Sequence, residues 1–537
     1  MNNQCRQCSK TFQVHDRDLT YYQRLRVPAP THCPDCRTQR RMAWRNERTL
    51  YPATCAKCHK PMISRFRPDS GCIVYCQSCY RADDWDATVY QRDIDWSKPF
   101  FPQWHQLELS VPQINLYSVR SENSDYCNYV GDVKNSYLCF GSIVLEDCLY
   151  GSPYYSKQCV DSLLIRECEL CYECITSERL YHCQYCQDCF DSRDLLMCFD
   201  LKTSHDCIGS AGLRNAAFMV FNQQLTESEY HRYKQQLDLT DPKQFAELQT
   251  EFQKVLLKTP HLFITGIKNE EVTGNYIHQS TQAFNCFDVS KVEHTSYAAQ
   301  VIDLKDCSDI NYTEENELCY EYWGNYRNTQ ALFSSTSYGC NNLTYSTACE
   351  SSHDLFGCTG LRKAEYCILN KTYTEAEYKE TVSKLIEHMK TTGEWGEFFP
   401  VQYSPFAYNE TVAQEYFPLP KTAIEQNGWR WLDVTKSTQP SPDALTCLQC
   451  QLPFKLVPQE KSFYHQEHLP TPLLCPNCRH LARMTKRPPR NLWQRQCMCT
   501  QTDHQHAGRC TTNFETAYHP EAKELIYCTG CYNREIL

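Results

Sequence analysis

The chain has 537 residues, 37 of them cysteine, and a formal net charge of −10. That length exceeds one ordinary domain, and no stretch approaches the roughly 18 apolar residues of a membrane span. The start, Met1-Asn2-Asn3-Gln4-Cys5, carries neither the basic nor the apolar region of a secretion signal. Reduced thiols in a cytoplasmic setting, with no membrane partner, are therefore expected rather than a disulfide framework. The charge is uneven: residues 1–100 hold 17 Lys+Arg against 10 Asp+Glu, and 441–537 hold 11 against 8. Subtraction from the totals of 54 and 64 leaves 26 against 46 for residues 101–440, an excess of 20 negative charges. Basic ends and an acidic middle should not share a partner surface.

The first element is Cys5-x2-Cys8, followed by Phe12, Tyr22 and Cys33-Pro34-Asp35-Cys36-Arg37. A second copy lies 442 residues on: Cys447-x2-Cys450, Phe454, Tyr464 and Cys475-Pro476-Asn477-Cys478-Arg479. Two C-x2-C knuckles aim four thiolates at one point, which suits a tetrahedral zinc ion and leaves no position for water. Both sets are therefore expected to be structural zinc sites. A second knuckle pair follows each first one. Cys55, Cys58, Cys76 and Cys79 form one set; Cys497, Cys510, Cys528 and Cys531 form its counterpart, with the 18-residue spacing from Cys58 to Cys76 repeated from Cys510 to Cys528. About four structural Zn2+ ions are expected. An insertion between Cys497 and Cys510 carries Cys499, His504 and His506, any of which could replace Cys497. The internal alignment gives Cys499 no counterpart, so Cys499 and the left-over Cys72 are expected to be dispensable.

These knuckles, with C-x2-C-x3-F, a Tyr before the second knuckle, and C-P-x-C-R with trailing arginines, resemble the zinc-ribbon domains of a family of uncharacterised bacterial proteins. Gly360-Leu361-Arg362 through Tyr366-Cys367-Ile368-Leu369-Asn370, and Gly393-Glu394-Trp395-Gly396-Glu397-Phe398-Phe399-Pro400, are similar to the same family. The resemblance covers most of the chain and implies zinc binding and little else; the insertion after Cys497 departs from it.

In the middle, cysteines 127, 148, 168 and 189 are spaced 21, 20 and 21 apart, as are 286 and 307, and 319 and 340. Short β-type runs such as Ser136-Tyr137-Leu138-Cys139-Phe140 lie between them. A period of about 20 made of short strands predicts a β-solenoid with cysteines laddered along its interior. The clusters Cys168-x2-Cys171-x2-Cys174 and Cys183-x2-Cys186-x2-Cys189 could instead ligate zinc or an iron–sulfur cluster, although neither supplies the fourth cysteine of a ferredoxin run. The repeat is duplicated at an offset of 148: Ser204-His205-Asp206 through Gly212-Leu213-Arg214 and Thr226 match Ser352-His353-Asp354 through Gly360-Leu361-Arg362 and Thr374. Helices are expected at about 226–257 and 374–391, N-capped by those threonines and covering the last rung.

The expected fold is mainly β and multidomain, a duplicated β-solenoid-like repeat region with capping helices flanked by zinc-ribbon pairs. Its parts are a double zinc ribbon at 1–100, repeats with helices at 115–258 and 272–392, a proline-bearing connection at 393–442, and a second double ribbon at 443–537. No phosphate-cradling loop, G-x-S-x-G or H-E-x-x-H is present. His353-Asp354 near Cys358 reads as a rung corner rather than a Cys–His site, because its counterpart His205-Asp206 faces Ser210. A non-enzymatic interaction scaffold leads; the alternative is an enzyme with its site on the acidic solenoid face. Candidate partners are RNA, DNA or a protein. Arg37, Arg41, Arg45 and Arg48, echoed by Arg479, Arg483, Arg487 and Arg490, would form one row on a helix. Such a row suits phosphate oxygens, and suits the acidic repeat of the same chain equally well.

Overall fold

The computed structural model describes every residue except 306–310, 318–322, 434–442, 502, 505 and 537, with 302–305, 311–317 and 323–330 described by backbone alone. The described chain is rich in sheet, with helices interspersed. Two long ladders dominate, one of ten strands between Ser118–Val119 and Gln223–Gln224, and one of eleven between Gly266–Ile267 and Lys371–Thr372.

Neighbouring strands run parallel except at the closing hairpins, where Gln223–Gln224 and Lys371–Thr372 turn back antiparallel, and the prevailing register is 12 residues rather than the expected 20. Asn128 faces Phe140, Glu178 faces Phe190, Arg193 faces His205 and His353 faces Glu365. Each 12-residue turn is built from four triplets. Every third residue points inward: Cys168, Cys171, Cys174, Ser177, Leu180, Cys183, Cys186 and Cys189 are all at most 2% exposed. The residue before each inward one is left-handed, with φ of 46–57° from Glu167 through Asp188. Asp and Asn tolerate that conformation best among non-glycine residues. Their use at 188, 191, 194, 200, 206 and 215 accounts for part of the acidic excess of the middle. The apparent spacing of 21 is one turn plus three triplets. Cys127 and Cys148 thus share the interior without sharing a column, while Cys307 and Cys319 lie outside the described residues.

Cysteine and serine suit the inward positions because of where the backbone hydrogen bonds go. The other two residues of a triplet bond along the ladder, as Glu169 N–H does to Leu180 O (2.9 Å) and Leu170 N–H to Lys157 O (3.2 Å). The inward N–H needs a side-chain acceptor one turn back: Cys189 N–H donates to Ser177 Oγ (3.1 Å), which itself donates to Ile175 O (2.9 Å). Thiols fill the same role more weakly, as Cys139 N–H to Cys127 Sγ at 3.5 Å shows.

Thr226 and Thr374 cap their helices as expected, each in a reciprocal box with Glu229 or Glu377. The first helical stretch is broken, however. Glu227–Gln236 ends before Asp241, which caps a second helix, Pro242–Lys258, opened by proline.

The chain divides into two compact units, each discontinuous in sequence: Met1–Leu116 with Ile264–Leu432, and Tyr117–Phe263 with Asp433–Leu537. Each unit thus joins the cysteine modules of one end to the repeat that is farther away in sequence. In the first unit, Trp104 stacks on Phe399 (4.2 Å between ring centroids), and the Glu394 carboxylate accepts the backbone N–H groups of Phe100 and Phe101. A buried carboxylate at the start of helix Phe100–Ser110 satisfies free N–H groups and meets the positive end of the helix dipole. In the second unit, strand Pro260–Leu262 pairs in parallel with Leu525–Tyr527 of the last module.

Candidate metal centres

Four groups of four thiols converge. They are Cys5, Cys8, Cys33 and Cys36; Cys55, Cys58, Cys76 and Cys79; Cys447, Cys450, Cys475 and Cys478; and Cys497, Cys510, Cys528 and Cys531. Within each group all Sγ atoms lie within 4.8 Å of one another. Zn–S bonds of about 2.3 Å in a tetrahedron put sulfurs roughly 3.8 Å apart. The measured separations are 3.7 Å for Cys8–Cys33, 3.8 Å for Cys58–Cys76, 3.7 Å for Cys450–Cys475 and 4.0 Å for Cys510–Cys528. These groups could therefore each hold a metal ion without rearrangement.

Tight turns supply more than convergence. Cys76 N–H points at Cys55 Sγ (3.3 Å), Cys475 N–H at Cys447 Sγ (3.3 Å) and Cys528 N–H at Cys497 Sγ (3.2 Å). Burial opposes ionisation at Cys55 and Cys447, but backbone N–H donors outweigh it and hold each thiol down to about 6. At Cys510 burial is likewise overcome, here by the Thr512 hydroxyl and N–H, with the thiol again at about 6. Thiolate is the form that binds metal; one thiol of each such group is held down in this way, while burial pushes others up, Cys79 to about 12 and Cys497 to about 11.

The insertion of the last module forms a fifth group: Cys499, His504, His506 and Cys531, with ligand atoms again within 4.8 Å. Its members do not replace Cys497, which stays with its own group. The sequence offers these three residues only as substitutes for Cys497 and leaves Cys499 dispensable; its place in this group speaks against that, and the C-x4-H-x-H run within the insertion is the signal for a separate group. Cys72 joins none of the groups among the described residues, and burial pushes its thiol up to about 12.

The ladder cysteines are placed differently. Cys168, Cys171, Cys183 and Cys186 direct Sγ at backbone carbonyls two residues back, at 3.2–3.4 Å. Desolvation raises the thiols of Cys168, Cys186 and Cys349 well above their ordinary value. They are packing residues with a hydrogen-bonding role. His205 and His353 each bond the next residue, Asp206 or Asp354, at 2.9 Å, while Ser210 and Cys358 face the interior.

Of the two destinations open to the arginine rows, burial favours the one inside the chain: Arg37, Arg41, Arg45, Arg479, Arg483 and Arg487 are all buried, and Arg48 and Arg490 are half-buried. In the second unit Arg479 pairs with Asp161 (3.1 Å) and Glu460 (3.0 Å), and Arg483 with Asp161 (3.0 Å) and Glu173 (2.6 Å). Arg487 donates to Thr176 Oγ1 at 3.0 Å. In the first unit Arg37 lies over the Tyr297 ring, Arg41 donates to Thr38 and Arg45 pairs with Glu47. The neighbouring Arg40 pairs with Glu397 at 2.8 Å. The acidic partner in the second unit is the repeat itself.

The Gly-Leu-Arg motif has a matching role in both units. Arg214 donates to Tyr532 Oη (2.7 Å) and pairs with Asp200 (3.0 Å); Arg362 donates to Tyr80 O and lies 5.0 Å over the Tyr80 ring. Tyr80 and Tyr532 follow Cys79 and Cys531, so each arginine ties a knuckle to a ladder. The glycine is required as well: Gly212 has φ +68°, and a Cβ there would sit 2.6 Å from Thr259.

Among the described residues no helix is long and apolar enough to cross a membrane. No family model matches the chain, and no curated protein matches it.

Proposed function

We propose that this chain is a zinc-binding, non-enzymatic interaction scaffold of two units, in each of which the zinc-ribbon modules of one end dock on one β-solenoid repeat. The carrying observation is the set of four convergent thiol groups at separations that tetrahedral zinc would impose. With four sulfurs per ion there is no open position for water or substrate, which favours structure over catalysis. Repetition of one chemistry in four places, tied to the ladders by Arg214 and Arg362, fits ions that hold a surface in shape. Every described cysteine is a free thiol, which suits a reducing compartment such as the cytoplasm. The same cysteine and arginine pattern supports kinship with bacterial zinc-ribbon proteins. With the arginine rows buried, a protein is the favoured partner over RNA or DNA.

Elemental analysis of the full chain tests the metal, and filter binding at two salt concentrations tests the partner. At least four zinc per chain, and no salt-sensitive affinity for RNA or DNA, is the expected result. Fewer than four zinc, or mostly iron, overturns the zinc reading; salt-steep nucleic-acid binding overturns the partner.

A further inference from the structure

We infer that the last cysteine module is a binuclear centre in which Cys531 bridges two metal ions. One ion is held by Cys497, Cys510, Cys528 and Cys531, and the second by Cys499, His504, His506 and Cys531. The inference rests on the zinc reading of the four-thiol groups and adds a fifth ion to it. Cys531 Sγ belongs to both convergent groups, and a thiolate has lone pairs for two cations.

The second ligand set is arranged for metal rather than merely gathered. Zn–S and Zn–N bonds of about 2.3 and 2.0–2.1 Å put S and N roughly 3.5 Å apart in a tetrahedron. Cys499 Sγ lies 3.1 Å from His504 Nδ1, and Cys531 Sγ lies 3.5 Å from His506 Nε2. In each histidine the other ring nitrogen is already engaged. His506 Nδ1 lies 2.9 Å from Gly508 O, which fixes the proton on Nδ1 and leaves the Nε2 lone pair facing Cys531. His504 Nε2 lies 3.6 Å from the Glu535 carboxylate, so Nδ1 is the nitrogen left for metal. A carbonyl or carboxylate behind each imidazole is the usual support of a histidine ligand. Both Cys499 and His504 are buried, at 0% and 6% exposure.

Charge and entropy point the same way. Five thiolates and two neutral imidazoles around two divalent cations leave one net negative charge. Four thiolates around one cation leave two. Ordering the extra loop between Cys497 and Cys510, where the other module has only Cys55-x2-Cys58, costs about 1–2 kcal/mol per residue in backbone entropy. A bound ion offsets that cost. The first-unit counterpart, around Cys79, has no such insertion and one ligand group.

The test is zinc stoichiometry of the full chain by native mass spectrometry, with single variants. Wild type should carry five zinc; Cys499→Ser and His506→Ala should each carry four. Cys79→Ser should lose one ion, whereas Cys531→Ser should lose two. Should Cys531→Ser unfold its module, cadmium-113 NMR of the folded wild-type chain decides instead. Two cadmium resonances coupled through a shared sulfur are expected. Four zinc in wild type with none lost in Cys499→Ser or His506→Ala, or uncoupled cadmium signals, overturns the bridge while leaving the four-thiol sites intact. Fewer than four zinc in wild type would strike the underlying zinc reading instead.

Discussion

The two units share one assembly plan, and among the described residues they differ most in the last cysteine module. In both, a first cysteine module presents a helix that begins at the C-P-x-C knuckle, Pro34–Met42 in one unit and Pro476–Thr485 in the other. In the second unit that helix drives Arg479 and Arg483 into Asp161, Glu173 and Glu460, a buried cluster. In the first unit Glu397 gathers Arg40 (2.8 Å), His32 (3.4 Å) and Thr31, and Asp18, which stands where the second unit has Glu460, accepts from Tyr297 Oη at 3.1 Å. Counterparts of Asp161 and Glu173 at the 148-residue offset, Asp309 and Glu321, lie outside the described residues. The second modules differ too, since only the last carries the Cys499–His504–His506 group. Duplication thus preserved the thiol groups, the Arg–Tyr ties and, in the sequence, an acid at each of the three anchoring positions, while the extra Cys–His group stands in the last module alone among the described residues.

The largest expected effect comes from breaking one thiol group per unit. Cys36→Ser and Cys478→Ser should each release one zinc and unfold the module concerned, since structural zinc contributes on the order of 10–16 kcal/mol to such folds. Hydrogen exchange should rise across residues 1–50 in the former and across 445–490 in the latter, each leaving the other unit protected. Exchange rising in both units at once would contradict independent anchoring.

Next in size are the anchors. Arg483→Ala leaves buried Asp161 to Arg479 alone and Glu173 to Lys486 at 3.9 Å, and should destabilise the second unit by about 3–5 kcal/mol. Glu397→Gln removes charge-assisted hydrogen bonds and should cost the first unit about 1–3 kcal/mol. Chemical denaturation followed by unit-specific exchange measures both; equal costs would erase the distinction. Inside the ladder, Ser177→Ala leaves the Cys189 N–H without an acceptor and should cost about 1–3 kcal/mol. A neutral result there would overturn the reading of inward serines as backbone partners.

The smallest effects are in pH, and they run in opposite directions. Burial opposes ionisation of Glu397, but His32, Arg40 and Thr31 hold its carboxyl down to about 2, below the ordinary 4.5. Its stabilisation is present above pH 4.5 and lost as pH falls from there through 2. Hydrogen bonding to Glu467 and Asp194, against burial, raises His182 from 6.5 to about 9. That contribution is complete below pH 6.5 and lost as pH climbs through 9. Release of 1–50 to an acid-active protease between pH 4.5 and 2, and of 445–490 as pH climbs from 6.5 through 9, checks the pair; release of both at one extreme would contradict it.

The sixteen thiols are legible in sequence because C-x2-C spacing is a local rule that any turn can execute. The threonine caps at 226 and 374 are legible for the same reason. The 12-residue turn is not, because cysteine shares the inward positions with Ser, Leu, Val and Ala. Cysteine spacing alone therefore samples multiples of three (9, 12 and 21), broken by an 11-residue turn that makes Cys148 to Cys168 read as 20, and hides the unit. The destination of the arginines is hidden too: a guanidinium row looks the same whether it faces phosphate or carboxylate, and Arg483 lies 310 residues from Glu173. Nor can sequence say which module meets which repeat, since both repeats carry Gly-Leu-Arg and both second modules carry the tyrosine it reaches.

That pairing of distant ends is tested most directly by zero-length carbodiimide cross-linking of the full chain, read by mass spectrometry. The structure predicts a Lys371–Asp93 link in the first unit, from an ion pair at 2.6 Å, and a Lys486–Glu173 link in the second, at 3.9 Å. Links that instead join residues 1–100 to 117–263, and 445–537 to 264–432, would contradict it.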